Sequence, residues 1–275
     1  MELLAPAKVN LGLSVLHRRP DGYHELHTLF AALRVGDRLW VEAIPEGIGL
    51  EVRGQGLPAN TENLVYKAAL AYLSAAGWPG GVKVVLEKNL PLAAGLGGGS
   101  SDAAAVLRAL ARLYPSSQNL SSLALELGAD VPFFLGPGLA EGRGVGERLT
   151  PWPPLKAALV LVNPGIAVSA AKAYQGLTPE MWQPELDIAG ILSAIKAGEE
   201  PPYWNTLERV VFRIHPYLEA LKQELYRLGL KGVLMSGSGS TLFGLARDAL
   251  EAAHLARVLQ SRHPSFWVVA SETVS

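Results

Sequence analysis

The segment from Pro91 to Ser101 is the feature that most restricts how this chain can fold. Four of the five residues from Gly95 to Gly99 are glycine. Glycine adopts positive φ angles freely and has no Cβ to keep a ligand away from the backbone. An apolar, strand-like run (Val82–Glu87) precedes the segment, and an alanine-rich helical run (Ser101–Leu113) follows it. The sequence therefore predicts a strand, a glycine turn and the N-terminus of a helix in direct succession.

Such a succession forms a binding site for anions. The first N–H groups of a helix have no partner within the helix and carry about half a positive charge, and phosphate is the usual anion there. Ser100 and Ser101 add hydroxyls that can cap the helix, bond a phosphate oxygen or ligate Mg²⁺. No Lys-Ser/Thr pair follows the glycines, so the segment is not a Walker loop. The alternatives are a flexible linker or a turn that only packs strand against helix.

Composition excludes several classes of protein. Hydrophobic residues make up 49% of the chain and charged residues 18%, which predicts a folded chain with a substantial core. The net charge of -1 provides no basic field for nucleic acid or an anionic membrane. With no cysteine, disulfides, thiolate zinc sites and a cysteine nucleophile are excluded, and a cytoplasmic location is expected. The chain shows neither a signal-peptide pattern nor an uncharged apolar run of about 18 residues, so no membrane association is expected.

The order of elements predicts an α+β fold of two domains, with a boundary near Trp152 in the glycine- and proline-rich stretch 136–154. Residues 1–152 form the first predicted domain, which contains the glycine segment, and residues 153–275 form the second domain. The second domain has the order β-α-β-β-α-β, which is ferredoxin-like. Its predicted elements are Ala157–Val162, Thr206–Leu228 with a break near Pro216, Val233–Met235, Thr241–Ala246, Asp248–Gln260 and Phe266–Ala270. Residues 163–204 are an insertion after its first strand, with helical turns near Ser169–Gln175 and Ile188–Ala197.

The glycine loop contains no lysine, so bound phosphates need a cation from elsewhere. Lys8 stands between Ala7 and Val9, at the start of a strand whose apolar residues alternate on one face. The alternative is a lysine whose aliphatic stem lies along the strand end while its amine reaches solvent. Lys8 is the predicted cation.

Asp130 is the candidate base. It follows Gly128 at the end of a predicted helix and precedes the apolar run Val131–Phe134, so its carboxylate is poorly solvated and needs a partner. Phosphoryl transfer to an alcohol requires a group that accepts the hydroxyl proton and positive charge beside the phosphoryl group. Asp130 with Lys8 would supply both. The alternative is an aspartate that caps a helix or turn.

A second glycine turn joins two strands of the second domain at residues Ser236 to Ser240, where serine and glycine alternate. A tight hairpin needs only one or two glycines. The excess predicts backbone close to a ligand, with an ordinary hairpin loop as the alternative.

Together these blocks resemble the GHMP kinase superfamily of small-molecule kinases. The resemblance rests on Pro6–Leu11, Pro91–Ser101 and Gly237–Ser240, and it covers the chain from Ala5 to about Ala270. It implies an S5-like N-terminal domain, a ferredoxin-like C-terminal domain, ATP and Mg²⁺ as cofactors, and catalytic roles for Lys8 and Asp130. The ATP-binding residues that it implies are Pro91, Leu92, Ala93, Ala94, Gly95, Leu96, Gly97, Gly98, Gly99, Ser100 and Ser101.

Two further runs, Arg19–Leu26 and Gly128–Phe134, resemble one branch of the superfamily. Its small-molecule substrate carries a cytidine diphosphate group and belongs to non-mevalonate isoprenoid synthesis, and its base acts on the 2-hydroxyl of that substrate. The resemblance implies that Asn10, Tyr23 and His24 contact the cytidine diphosphate end and that Tyr174 stacks on the cytosine. From the residues alone, Tyr23 and His24 also fit a surface turn, and Tyr174 also fits a core position on a short helix.

Three other functions stay open at this point. A kinase for a mevalonate-type alcohol or homoserine would not need the nucleotide end of the substrate. An RNA-binding module can share an S5-like fold, but it would need a dense basic patch that this chain lacks. A catalytically inactive ATP sensor would not require Lys8 and Asp130.

Asp102 places a negative charge directly after the loop serines, where some relatives have asparagine. We expect this carboxylate to be turned away from the γ-phosphate or to act through Mg²⁺. No second carboxylate for a metal is evident in the sequence, so the metal ligands are left unassigned. A monomer or weak homodimer is expected.

Overall fold

Two long strands open the chain, and shorter strands and helices follow them. The structure is a computed structural model that describes residues 1–274. The elements are, in chain order, β1 (Glu2–Arg18), β2 (His24–Ile44), β3 (Ile48–Arg53), α1 (Leu64–Ala76), β4 (Gly81–Glu87), α2 (Gly98–Leu113), α3 (Leu120–Leu127), β5 (Leu139–Gly144), β6 (Arg148–Pro151), β7 (Ala158–Asn163), α4 (Ala170–Gln175), α5 (Ile188–Ala197), α6 (Glu208–Ile214), α7 (Pro216–Arg227), β8 (Lys231–Met235), β9 (Leu242–Ala246), α8 (Ala249–Arg262) and β10 (Trp267–Glu272). Short 3₁₀ turns lie at Pro132–Leu135 and Pro179–Met181.

These elements form two compact units, each built from separated stretches of chain. The first unit contains Met1–Ala7, Val35–Leu92 and Gly97–Pro137, and the second contains Lys8–Arg34, Ala93–Leu96 and the chain from Gly138 onward. β1 and β2 therefore contribute residues to both units. The two contiguous domains expected from the sequence divide the chain differently, and their boundary near residue 152 stays a prediction.

In the first unit, residues 38–44 of β2 pair antiparallel with β4, and β4 pairs parallel with β3. Asn63 caps the start of α1, where its side chain accepts a hydrogen bond from Val65 N–H, and Gly77, in the left-handed region, caps the end. Tyr72 of α1 is fully buried and donates its hydroxyl proton to the carbonyl of Tyr114 at 2.7 Å. α1, α2 and α3 pack against one another. The N-terminus of α2 is thereby fixed within this unit.

The second unit contains the ferredoxin-like sheet that the sequence predicts. Its strand order is β10-β7-β9-β8, and every neighbouring pair is antiparallel. This is the arrangement expected for a β-α-β-β-α-β chain. Apolar side chains from the sheet and its helices form the core, with Val160, Leu221, Leu225, Val233 and Leu259 among its buried members.

Other strands of this unit lie outside the ferredoxin-like sheet. Residues 26–31 of β2 pair antiparallel with β5, and β5 pairs antiparallel with β6. Within residues 1–274, no helix is both long enough and apolar enough to span a membrane.

The sequence prediction was wrong about where one helix starts. Helix α2 begins at Gly98 and not at Ser101, because the intrinsic cost of glycine in a helix hides its first turn from pattern reading. Residues 24–37 belong to strand β2, and the stretch 136–154 contains β5 and β6. The glycines of β5 have a packing role: a Cβ on Gly142 would lie 2.7 Å from Cε2 of Phe30.

Candidate active site

Residues Ala93–Leu96 of the glycine loop are held by β1 and by the turn between β8 and β9. The backbone N–H of Lys8 donates to the carbonyl of Leu96 at 2.9 Å. Ser236 Oγ donates to the carbonyl of Gly95 at 2.9 Å, and the N–H of Thr241 donates to that of Ala94 at 3.3 Å. All these residues belong to the second unit. The structure thus brings together parts of the three blocks that the sequence singled out.

Gly95 is a position where only glycine fits. Its φ is +76°, a region that side chains rarely adopt, and an added Cβ would overlap the carbonyl oxygen of Ser236. Part of the glycine excess in this region therefore serves close backbone packing between the loop and the turn at residues 236–240.

We expect Gly95→Ala to lower the free energy of unfolding by about 2 kcal/mol or more, because it adds both backbone strain and overlap. It should also weaken ATP binding, since the loop must move away from the turn. Thermal unfolding and calorimetric ATP titration measure the two effects. Gly56→Ala is the matched control, because a Cβ there meets no atom within 4 Å. A Gly95→Ala protein that melts and binds ATP as the control does would contradict this packing argument.

Two buried asparagines hold the turn in place. Asn205 Nδ2 donates to the carbonyls of Met235 and Gly237, both at 2.7 Å, and Asn163 Nδ2 donates to Thr241 Oγ1 at 2.9 Å. Sequence analysis missed both side chains. In the sequence, Asn163 is only a polar residue at the end of a strand and Asn205 a polar residue before a helix. Many ordinary loops have such residues, so neither position indicates this role.

Lys8 is buried, with 4% of its surface exposed. Its Nζ donates to Asn10 Oδ1 at 2.8 Å, Asn10 Nδ2 donates to Thr28 Oγ1 at 2.8 Å, and Thr28 Oγ1 donates to the carbonyl of Gly12 at 2.7 Å. Lys8 Nζ also lies 5.5 Å from the centroid of the Phe30 ring. The amine therefore does not extend into solvent, and Asn10 lies directly beside it.

The N-terminus of α2 presents backbone amides without a side-chain cap. Gly97 occupies the cap position with φ +68°, and the N–H of Ser101 donates to its carbonyl at 2.9 Å. The N–H groups of Gly98, Gly99 and Ser100, which precede Ser101, have no partner within the helix. Ser101 is fully buried, and its Oγ has no hydrogen-bond partner among the described residues. This is the local geometry that the sequence predicts for an anion site.

Asp102 is engaged by a buried cation. Lys88 Nζ donates to Asp102 Oδ2 at 2.8 Å and also pairs with Asp37 Oδ2. Burial alone would lower the pKa of Lys88, but the charges of Asp102 and Asp37 outweigh burial and raise it. Burial raises the pKa of Asp102 to about 7, against the opposing charge of Lys88. Sequence analysis missed the cluster because Asp37 and Lys88 are far apart in the chain.

Asp130 lies in the first unit, between α3 and the 3₁₀ turn Pro132–Leu135. Its side chain is partly buried, and Val131, not Asp130, occupies the cap position of that turn. The role of Asp130 as a base stays a prediction.

The residues expected to contact the cytidine group lie in the second unit. The rings of His24 and Tyr174 stack with centroids 5.5 Å apart and an angle of 26° between their planes. Burial lowers the pKa of His24, and the charge of Arg18 lowers it further. Tyr23 is 66% exposed. The structure therefore brings His24 and Tyr174 together and leaves most of Tyr23 open to solvent.

The insertion that carries Tyr174 is tethered to β1 and β2. His27 Nδ1 accepts a hydrogen bond from the N–H of Leu186 at 3.0 Å, and His27 Nε2 lies 3.0 Å from Glu141 Oε1. Ser14 Oγ donates to the carbonyl of Pro184 at 2.6 Å. These contacts hold residues 184–186, which directly precede α5. None of them was predicted.

Comparison with known proteins agrees with this geometry. Residues 63–138 match the family of GHMP kinases N terminal domains, and residues 187–265 match the GHMP kinases C terminal family. The 4-diphosphocytidyl-2-C-methyl-D-erythritol kinase of Thermus thermophilus is 55% identical over 263 residues, which is 95% of this chain and 93% of that protein. The enzyme of the same name from Deinococcus radiodurans is 50% identical over 277 residues, with 98% and 91% covered.

A solved structure agrees as well. The crystal structure of a 4-(cytidine 5'-diphospho)-2C-methyl-D-erythritol kinase has a TM-score of 0.93 and 51% identity, covering 100% of both chains. The predictions of an α+β GHMP kinase fold and of a small-molecule kinase are confirmed. The chain therefore belongs to the GHMP kinases, in the family of the 4-diphosphocytidyl-2-C-methyl-D-erythritol kinases.

Proposed function

We propose that this chain transfers the γ-phosphoryl group of ATP to the 2-hydroxyl of 4-diphosphocytidyl-2-C-methyl-D-erythritol, in non-mevalonate isoprenoid synthesis. The supporting observation is the 55% identity to a kinase of that name over nearly the whole of both chains. The contacts of Lys8, residues Ala93–Leu96 of the glycine loop and the turn at residues 236–240 within the second unit are consistent with this reaction.

In the proposed mechanism, the substrate hydroxyl oxygen forms a bond to the γ-phosphorus while the bond between that phosphorus and the β,γ-bridging oxygen breaks. Asp130 accepts the hydroxyl proton, and ADP leaves. Lys8 supplies positive charge to the transferring group, and its burial strengthens that effect because little water competes for the amine. The free amides at the start of α2 hold the β- and γ-phosphates.

Mg²⁺ bound to ATP usually keeps water ligands and needs only one or two protein ligands. Ser101 Oγ is a suitable metal ligand, because it is buried and has no hydrogen-bond partner among the described residues. Ser100 offers a second hydroxyl. No group of three histidine, aspartate or glutamate side chains within residues 1–274 forms a metal site. The Ser101 and Ser100 hydroxyls would help to hold Mg²⁺ if it is bound with ATP, and the ion would supply positive charge to the phosphates.

Substrate recognition is proposed to rest on Asn10, Tyr23, His24 and Tyr174. We expect Tyr174→Ala to raise KM for the cytidyl substrate about tenfold, the range of one base–aromatic stacking interaction, and to leave KM for ATP unchanged. Tyr174→Phe should restore the wild-type value, because it keeps the ring. The exposed Tyr217 offers a control, Tyr217→Ala, that should change neither constant. Equal increases in both KM values for Tyr174→Ala would contradict a stacking role.

One assay tests the proposed function as a whole. ADP release is coupled to NADH oxidation and measured with the cytidyl substrate, with mevalonate and with homoserine at equal concentrations. Turnover with the cytidyl substrate alone is the expected result. Faster turnover with either of the other alcohols would refute the assignment of the acceptor.

The cytoplasmic location and the monomeric or weakly dimeric state stay predictions from the sequence. Light scattering after size-exclusion chromatography tests the second of these directly.

A further inference from the structure

The buried cluster of Asp37, Lys88 and Asp102 lies where the two ends of the glycine loop meet. Lys88 stands three positions before Pro91, and Asp102 directly follows Ser101. The bridge of 2.8 Å between Lys88 Nζ and Asp102 Oδ2 therefore joins the residues on either side of the loop.

Asp37 holds the backbone that leads into the loop. Its Oδ1 accepts hydrogen bonds from the backbone N–H groups of Asn89 at 2.7 Å and Leu90 at 2.9 Å, while its Oδ2 pairs with Lys88. The cluster also lies against the first residue of α2, because a Cβ on Gly98 would be 3.3 Å from both Asp37 Oδ2 and Lys88 Nζ. One lysine and one aspartate thus contact the entry to the loop, the exit from the loop and the start of the helix.

Stability alone is a weak reason for such a cluster. The side chains of Lys88, Asp37 and Asp102 are at most 2% exposed, and removing charges from water costs about as much as their attraction returns. The cluster also carries two carboxylates for one amine, and Oδ1 of Asp102 has no hydrogen-bond partner among the described residues. What the arrangement does supply is a fixed separation between the two ends of the loop.

We propose that Asp37, Lys88 and Asp102 are positioning residues that close the base of the glycine loop and so hold its backbone amides in register with the phosphates of ATP. This inference rests on the loop's role in the proposed function. It predicts a loss of ATP affinity when the bridge is removed, because amides displaced by even about 1 Å bind poorly.

The test measures the dissociation constant of ATP by calorimetry, together with the kinetic constants. Asp102→Ala removes the bridge and should raise the ATP dissociation constant and KM for ATP about tenfold or more, with KM for the cytidyl substrate unchanged. Asp102→Asn keeps an oxygen that accepts from Lys88, so it should restore ATP binding to within about threefold of wild type. A purely structural role would not give this separation, since it would change both KM values and kcat together.

A second variant covers the case in which Asp102→Ala does not fold. Lys88→Met with Asp102→Leu and Asp37→Asn removes all three buried charges together, an exchange that is often neutral for stability, and the asparagine oxygen can still accept from Asn89 and Leu90. A folded triple variant should still bind ATP about tenfold more weakly. The control is Lys222→Met, which breaks the mostly buried Lys222–Glu208 pair (2.7 Å) of the second unit and should leave ATP affinity unchanged.

Wild-type ATP affinity in a folded bridge variant would overturn the proposal. So would an equal loss of ATP affinity in Lys222→Met. ATP titration needs no acceptor substrate. If the coupled assay refuted the proposed acceptor, the ATP dissociation constants of the variants would still test this proposal, so the two failures can be told apart.

Discussion

Replacing Asp130 by alanine should reduce kcat about 10³-fold while changing KM for ATP less than about threefold, which is the expected result of removing a general base. Without the carboxylate, the substrate hydroxyl must lose its proton to water. ATP affinity should persist, because the loop amides hold the phosphates. Coupled steady-state assays with each substrate varied in turn give kcat, KM for ATP and KM for the cytidyl substrate.

Asp130→Asn separates charge from shape in the same assay, and it should be nearly as slow as Asp130→Ala because an amide accepts no proton. The control is Asp248→Ala, since Asp248 caps α8 in an exposed position. That control should lose about 1 kcal/mol of stability and keep its turnover. A kcat for Asp130→Ala within about threefold of wild type would rule out Asp130 as the base.

Replacing Lys8 by methionine should lower kcat about 10²-fold, less than the change at Asp130. Methionine keeps the length of the buried side chain but removes the amine that contacts Asn10. Positive charge is needed most when charge develops on the transferring group, so the loss should appear mainly in kcat. A modest loss of stability is also expected, because Asn10 Oδ1 loses its donor.

Rapid-quench measurement of a single turnover shows whether the loss at Lys8 lies in the chemical step. Lys83→Met is the matched control, because Lys83 is a half-exposed lysine that pairs with Glu42 at 3.5 Å. It should behave as wild type. If Lys8→Met changed KM for ATP but not kcat, Lys8 would hold ground-state phosphates and would have no special role in the reaction.

Local patterns in the sequence were sufficient for the ferredoxin-like sheet and for the glycine turn that leads into helix α2. Both depend on the order of elements and on residues next to one another in the chain. The break near Pro216 is likewise a local signal, and the structure confirms it, because α6 ends at Ile214 and α7 begins at Pro216.

Contacts between distant residues were not predictable in this way. Lys88 reads as an ordinary charged residue at a strand end, and only the fold places it against Asp37 and Asp102. The same holds for His27, which looks like part of an alternating strand but accepts a hydrogen bond from Leu186. The start of α2 was misplaced for another reason: tertiary packing overrides the low helix propensity of Gly98 and Gly99.

The alternation of the chain between its two compact units limits how the protein can be divided. A fragment ending at Pro137 would contain all of the first unit, but it would also carry residues 8–34, whose pairing partner β5 lies beyond the cut. Their unpaired strand edges and apolar side chains would favour aggregation. Fragment complementation or a split reporter built at this junction should therefore fail unless both halves are produced together, whereas joining proteins at the termini leaves every strand with its partner.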